Sequence, residues 1–599
     1  MVKLSKRQLE EKRQYAFNYM KEGNSASKSL VDANANLSCS NVVTLAGELN
    51  KDTDMQINRY VLGEKVQELF GKKAKKEYYR SLERHEIYSG DETSIFNRPY
   101  CVSIDLHPFI ESGMIPIGGD SLAPTHLYSF CGSYINLIFA ISSNFAGAVA
   151  DCSFLTYFNY FAVKDYGENY LETHTSEIEN ALQHVVYSIN QPGGVRNFQS
   201  CFWNISIYDS NYFDALFGKV LMPNGETPNW EQVKKFQVFF MKWFNKERTK
   251  ALLTFPVVSA AALTKDGKMQ DIEFKEFLAE EMSEGNSFFH YNSDSVDSFA
   301  SCCRLRNAID TNQFSFTLGT GGLATGSKKV FTINVNRLVQ DGRDIEKEIE
   351  KVHRYLIAYN EILYQMKDAK MLPVYDAGYI SLEKQYLTIG LNGIVEACEY
   401  LGYDISYNKP YLKWIQGFLS KISETNKKEA KHYSEKFGHK IMFNTELVPA
   451  ENIGVKFSRW DRKDGYKVNR ECYNSYLYKV EDDSIDFVDK FKIHGKETLQ
   501  YLDGGSCCHQ NFQESPSKGT WLKIMDQATF YGCNYWCPNI RSTCCEDCGY
   551  ISKKDLLRCP KCGSSNVSYA TRIIGYLKKI KSFSAARQKE AGLRFYHKI

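Results

Sequence analysis

Residues 545–577 read CEDCGYISKKDLLRCPKCGSSNVSYATRIIGYL. The stretch opens with two Cys-x-x-Cys knuckles, Cys545/Cys548 and Cys559/Cys562, separated by ten residues and each followed by glycine (Gly549, Gly563). Such knuckles can place four thiolates tetrahedrally around Zn²⁺, and glycine lets the backbone N–H groups turn back toward the sulfurs. Two disulfides or four free thiols would use the same residues, but spacing in a long chain without a secretion signal favours metal. Four protein thiolates close the coordination shell, so the ion would be structural and would not activate water. Arg572-Ile573-Ile574-Gly575-Tyr576-Leu577 follows. Taken alone, one glycine between bulky residues is an ordinary turn, and a zinc ribbon alone most often marks a nucleic-acid-binding or protein-binding module.

Outside this stretch the composition is that of a large globular protein. The 599 residues are 43% hydrophobic, 14% aromatic and 24% charged, enough for one large core with smaller appendages. A formal net charge of +3, spread along the chain, gives no electrostatic reason to expect nucleic acid or an anionic membrane as partner. Residues 1–22 are charged and helix-like, unlike a signal peptide. The most apolar candidate span, Tyr134 to Ala150, is broken by Asn136, Ser142, Ser143 and Asn144 and reads as a buried helix. A cytoplasmic location is expected.

Residues 1–55 read as a helical lead-in and 56–530 as one α/β domain. A ribbon at 531–570 and a terminal loop and tail at 571–599 complete the chain. Helical periodicity marks Trp230 to Arg248, Asp344 to Met366 and Leu382 to Leu401. Phe202 to Tyr208 and Val330 to Val335 favour strands, being β-branched and aromatic. Spacing alone does not separate an open sheet from a barrel. Of the 18 cysteines, seven lie between Cys533 and Cys562, while Cys302-Cys303 and Cys507-Cys508 form adjacent pairs. Such clustering favours metal or redox chemistry over a disulfide framework. Cys39, Cys131, Cys152 and Cys398 read as small buried hydrophobes.

Paired knuckles followed by Arg-x-x-Gly-Tyr resemble the C-terminus of class III anaerobic ribonucleoside-triphosphate reductases, and the likeness runs upstream to about Asn34. In that family the glycine stores a radical, which points to Gly575. A glycyl Cα radical is delocalised between amide and carbonyl, and without a Cβ it flattens freely. Tyr100-Cys101-Val102-Ser103-Ile104-Asp105-Leu106 is similar to the stretch around the family's thiyl-radical cysteine, which assigns that role to Cys101. Ser301-Cys302-Cys303-Arg304 is similar to the second active-site cysteine, which makes Cys303 the donor of reducing equivalents. The resemblance also implies substrate contacts at Ser327, at Pro449, Ala450 and Glu451, and at Gly504, Gly505 and Ser506. Several positions depart from the family pattern: Ser301 stands where many members have Met, Ser327 where some have Asn, and Tyr100 where Asn is common. Cys302 is an added thiol. The reductant, formate or a dithiol protein, is left open by these departures.

What the resemblance further implies is a ten-stranded α/β barrel of two antiparallel-related halves, with Cys101 on a loop inside it. It also implies a homodimer, nucleoside triphosphate effectors near the Asp120 to Ala150 helix, and an iron–sulfur, S-adenosylmethionine-dependent activase. With only 33 residues before the Asn34 region, no N-terminal ATP-binding module is expected. Two alternatives stay open. Another glycyl-radical enzyme, formate-lyase-like or diol dehydratase-like, would share Gly575 but not the ribbon before it. A zinc-ribbon nucleic-acid-binding protein would require a basic surface.

Overall fold

A computed structural model describes residues 4–22, 41–93, 96, 98–192, 200–294, 298–301, 305–308, 324–448, 453–572 and 575–599. The central sheet has twelve strands among the described residues: two short ones, Ile87–Ser89 and Lys268–Met269, pair at its margins, and ten form its main path. In chain order they are β1 (Cys101–Ile104), β2 (Val149–Asp151), β3 (Trp203–Tyr208), β4 (Val257–Lys265), β5 (Phe289–Ser293), β6 (Thr325–Asn334), β7 (Gln385–Asn392), β8 (Phe443–Leu447), β9 (Cys508–Phe512) and β10 (Tyr535–Ile540).

Strands β1 to β5 pair in sequence order, all parallel. Strands β6, β7 and β8 do the same, as do β9 and β10. Parallel neighbours need crossovers, and helices supply them: Trp230–Glu247 between β3 and β4, Ile345–Asp368 between β6 and β7, Lys409–Phe437 between β7 and β8. The two halves meet antiparallel at two seams, β1 with β6 and β5 with β10. A parallel bridge between Glu446 of β8 and Gly505, just before β9, joins the remaining ends. It is supported by Leu447 N–H donating to the Gly505 carbonyl at 3.1 Å and Gly504 N–H donating to the Thr445 carbonyl at 2.8 Å. The sheet thus closes into the expected ten-stranded barrel of two antiparallel halves.

Cys101 sits on strand β1 itself, at its first residue, and not on a loop. The segment between the halves carries a hairpin with arms Ser298–Ser301 and Leu305–Ala308. Cys302, Cys303, Pro449, Ala450 and Glu451 lie outside the described residues.

The helices expected at Trp230 to Arg248 and Asp344 to Met366 are found within two residues of those limits. Leu382 to Leu401 is different: it holds a short 3₁₀ turn, strand β7 and the helix Ile394–Tyr400. All eight residues of β7 are buried; Leu387, Ile389 and Leu391 do alternate with Thr388, Gly390 and Asn392, but Leu382 before them and the apolar residues of the following helix extend the window to helical length and mask the short period-2 run. Tyr134 to Ala150 likewise divides into the helix Leu127–Asn144 and strand β2. The helix Val42–Glu83 runs through residue 55. Cys131, Cys152 and Cys398 are buried, and Cys39 lies outside the described residues. Among the described residues no helix is long and apolar enough to cross a membrane.

Candidate active site and cysteine ribbon

The ribbon is a four-stranded antiparallel sheet made of β11 (Ser542–Cys545), β12 (Ile551–Ser552), β13 (Val567–Arg572) and β14 (Leu577–Lys579). Its knuckles bring Cys545 Sγ within 3.6 Å of Cys562 Sγ, and Cys548 Sγ within 3.6 Å of Cys559 Sγ. A tetrahedral ion with Zn–S bonds of about 2.3 Å needs sulfurs about 3.8 Å apart. The four thiols therefore fit zinc as they stand. Gly549 and Gly563 have φ of +73° and +74°, the left-handed turn that glycine adopts without penalty, and Cys548 N–H points at Cys545 Sγ at 3.5 Å. Because a metal held by such knuckles is coupled to the folding around it, an ion bound there would make chelation loosen residues 542–579 while leaving the barrel's circular dichroism unchanged. Limited proteolysis with and without chelator would report this as early cleavage confined to the ribbon.

Strand β13 delivers the chain directly to Gly575, and it is held hard. Asn539 at the end of β10 accepts from Arg572 N–H at 3.1 Å and from Thr571 Oγ1 at 3.0 Å. The buried Arg572 guanidinium donates to the Gly575 carbonyl at 3.0 Å, to the Ser287 carbonyl at 2.7 Å and to Ser287 Oγ at 3.1 Å. Its planar face lies over the Phe289 ring, 4.7 Å from the centroid. Arg594, itself paired with buried Glu590, donates to the Arg572 carbonyl at 2.7 Å. Arg248 donates to the same Ser287 carbonyl at 3.2 Å. Burial, and then the charge of Arg572, draw Arg248 down to about 9.

These contacts, at the start of β5 and the end of β10, place the glycine at one mouth of the barrel. Gly575 is buried. The atom nearest to where a Cβ would stand is Phe202 Cζ, at 3.6 Å. Tyr576 packs edge-on against Phe202, with centroids 5.3 Å apart, and lies 5.7 Å from Phe255. Phe202 also packs against the small apolar cluster of Cys101, Ala148 and Ala150. One ring therefore touches both the glycine and the cysteine cluster.

Across the β1/β6 seam Cys101 stands opposite Ser327, so two residues singled out from separate motifs face each other in register. Ser327 Oγ hydrogen-bonds Thr388 Oγ1 at 2.7 Å, and Gln385 Nε2 donates to the Cys101 carbonyl at 3.0 Å. Gly504, Gly505 and Ser506 form the closing strap between β8 and β9. They lie at the other end of β9 from Asn511, whose side chain pairs with Asn539. Ser506 Oγ and His494 Nδ1 are 3.2 Å apart.

Spacing carried no signal for Phe202, Ser287, Asn539 or Arg594, because their roles arise only when the barrel closes. Arg572 was visible within its motif. Replacing it with lysine removes the fork that spans Gly575 and Ser287. Losing one charge-assisted hydrogen bond costs about 2 kcal/mol, which corresponds to roughly a thirty-fold loss of turnover. Initial rates of Arg572→Lys test this, with metal content unchanged from the wild type as the control for the ribbon.

A family model described as anaerobic ribonucleoside-triphosphate reductase matches residues 48–597. A search of curated proteins returned no match. Among solved structures, one described as an anaerobic ribonucleotide reductase is 28% identical, covering 93% of this chain and 90% of its own, with a TM-score of 0.82. The anaerobic ribonucleotide reductase from Thermotoga maritima with glycerol in its active site is 26% identical, over 97% and 94% of the two chains, with a TM-score of 0.82. The same enzyme with dATP in its specificity site gives 26% identity over 98% and 100%, with a TM-score of 0.81. The chain belongs to the anaerobic ribonucleoside-triphosphate reductase family, and is an oxidoreductase of anaerobic ribonucleotide reduction whose family implies a glycyl radical and nucleotide effectors.

Proposed function

We propose that Gly575 stores the radical, that Cys101 exchanges a hydrogen atom with it, and that Cys303 passes reducing equivalents to a ribonucleoside triphosphate. The observation that carries this reading is the convergence of Gly575 and the Cys101 cluster on Phe202 at one mouth of a closed barrel. Cys303 is assigned from the resemblance of its Cys-Arg motif.

The stored radical supplies hydrogen-atom abstraction. Cys101 gives its thiol hydrogen to Gly575 Cα and then takes the 3′ hydrogen of the substrate, so that the 2′ hydroxyl, once protonated, leaves as water. With formate as reductant the sum balances: formate, one proton and the ribonucleotide become carbon dioxide, water and the deoxyribonucleotide. With a dithiol, two thiol hydrogens are consumed and a disulfide forms. Cys101 returns hydrogen to C3′ and recovers its own from Gly575. The barrel's contribution is to hold these atoms in register and away from water.

Ser327, Pro449, Ala450 and Glu451 line the substrate in this reading, and the strap of Gly504, Gly505 and Ser506 lies beside its phosphates. Cys545, Cys548, Cys559 and Cys562 hold Zn²⁺. A radical S-adenosylmethionine activase with an iron–sulfur cluster installs the radical. The active species is a homodimer with an effector site near the helix Leu127–Asn144; the similar Thermotoga maritima enzyme holds dATP in a specificity site. Anaerobic turnover with labelled formate tests the chemistry. One carbon dioxide per deoxynucleotide identifies formate as reductant, and one disulfide per deoxynucleotide identifies a dithiol. Deoxynucleotide formation with neither would overturn the scheme.

A further inference from the structure

Alternation along β9 sends Cys508 and Gln510 outward: Gln510 donates to the Phe487 carbonyl, at the start of the helix Phe487–Ile493, at 2.9 Å. Cys507, His509 and Asn511 therefore face the other way. Strand β10 lies parallel to β9 with His509 opposite Cys537 and Asn511 opposite Asn539. Its inward residues join theirs. One ligand atom from each of Cys507, His509 and Cys537 falls within 4.8 Å of the others, and all three residues are buried.

We propose that Cys507, His509 and Cys537 form a second metal site, one that takes Zn²⁺ in the wall of the barrel and is separate from the ribbon. The ligand chemistry is right: two soft sulfurs and an imidazole suit zinc, and three protein ligands leave a fourth position for water or a neighbouring group. The spacing is right as well, since bonds of about 2.0 to 2.3 Å set ligand atoms about 3.5 to 3.8 Å apart, within reach of small side-chain rotations. Charge balance favours a divalent ion: two thiolates and a neutral imidazole around Zn²⁺ sum to zero, and a neutral complex is what a buried site tolerates. The ribbon's four thiolates leave a net negative charge around the same ion, and there Cys548 and Cys562 are exposed. The ion would pin β9 to β10 one step before Asn511 and Asn539, the pair that receives Thr571 and Arg572. It is thus a strut beneath the glycine-bearing segment. The site stands on its own ligands and does not depend on which cysteine exchanges hydrogen with Gly575.

The test is metal stoichiometry on the full-length protein, purified anaerobically and reconstituted with zinc alone. Two zinc ions per chain are expected, falling to one in Cys507→Ser/Cys537→Ser and to one in Cys548→Ser/Cys562→Ser. If the barrel double variant does not fold, X-ray absorption of the wild type decides. A ribbon ion plus a barrel ion averages about three sulfurs per zinc, whereas ribbon-type coordination alone gives about four. One zinc per chain, or four sulfurs per zinc, overturns the proposal. So does a Cys507–Cys537 disulfide, seen as two missing alkylations in the intact mass after anaerobic labelling, because it would make the pair a redox couple.

Discussion

Gly575→Ala is expected to abolish deoxynucleotide formation and the glycyl electron paramagnetic resonance signal together, while leaving the fold intact. A Cβ at this position would meet Phe202 Cζ at 3.6 Å, an ordinary van der Waals contact, so alanine fits. Arg572 holds the residue through its backbone carbonyl, which alanine keeps. What alanine loses is chemical: its methyl group crowds the planar arrangement that lets an α-carbon radical spread into the flanking amides. The measurement is low-temperature spectroscopy of wild type and variant after anaerobic incubation with activase, reductant and S-adenosylmethionine, with thermal melting alongside. A doublet in the wild type and none in an equally stable variant is the expected pair. A doublet surviving in Gly575→Ala would move the radical to another residue.

Cys101→Ala is expected to eliminate turnover, a loss of several orders of magnitude, without preventing activation at Gly575. Removing one buried sulfur costs at most a few kcal/mol of stability, spread over a large core, so the barrel should persist. The informative readout is isotopic. A glycyl radical's doublet comes from its single remaining α-hydrogen. If a thiol repeatedly trades hydrogen with that carbon in D₂O, deuterium replaces the α-hydrogen and the doublet collapses to a singlet. Wild type and Cys303→Ala should collapse, and Cys101→Ala should keep its doublet. The reverse pattern would exchange the roles of the two cysteines.

The proposed strut and the arginine clamp act on the same segment from two sides. Arg572 fixes the Gly575 carbonyl, and Asn539 fixes the backbone of Arg572. Arg594 holds that backbone from the C-terminal tail. Loosening either support should lower turnover more than stability, because the radical segment contributes little of the core but needs tight placement.

The sequence by itself determined the local chemistry. Ligand spacing announced the ribbon, and the knuckle glycines announced its turns, because a metal shell is specified by a few residues close together in the chain. The motif around Gly575 and the contexts of Cys101 and Cys303 were equally local, and through their resemblance they carried the family. The buried strands β3 and β6 were legible from their β-branched and aromatic residues, whereas β7 was not. The alternation of Leu387, Ile389 and Leu391 with Thr388, Gly390 and Asn392 along β7 is short, and the apolar residues on either side of it made the longer run imitate a helix. Only the tertiary structure decided closure. Glu446 and Gly505 lie 59 positions apart in the sequence, and their bridge exists only once eight other strands have set the curvature. The same closure brings Phe202 to Gly575, sets Ser327 opposite Cys101, and gathers Cys507, His509 and Cys537 on one inner face. Contacts between distant strands depend on barrel register, and no short stretch of sequence encodes register by itself.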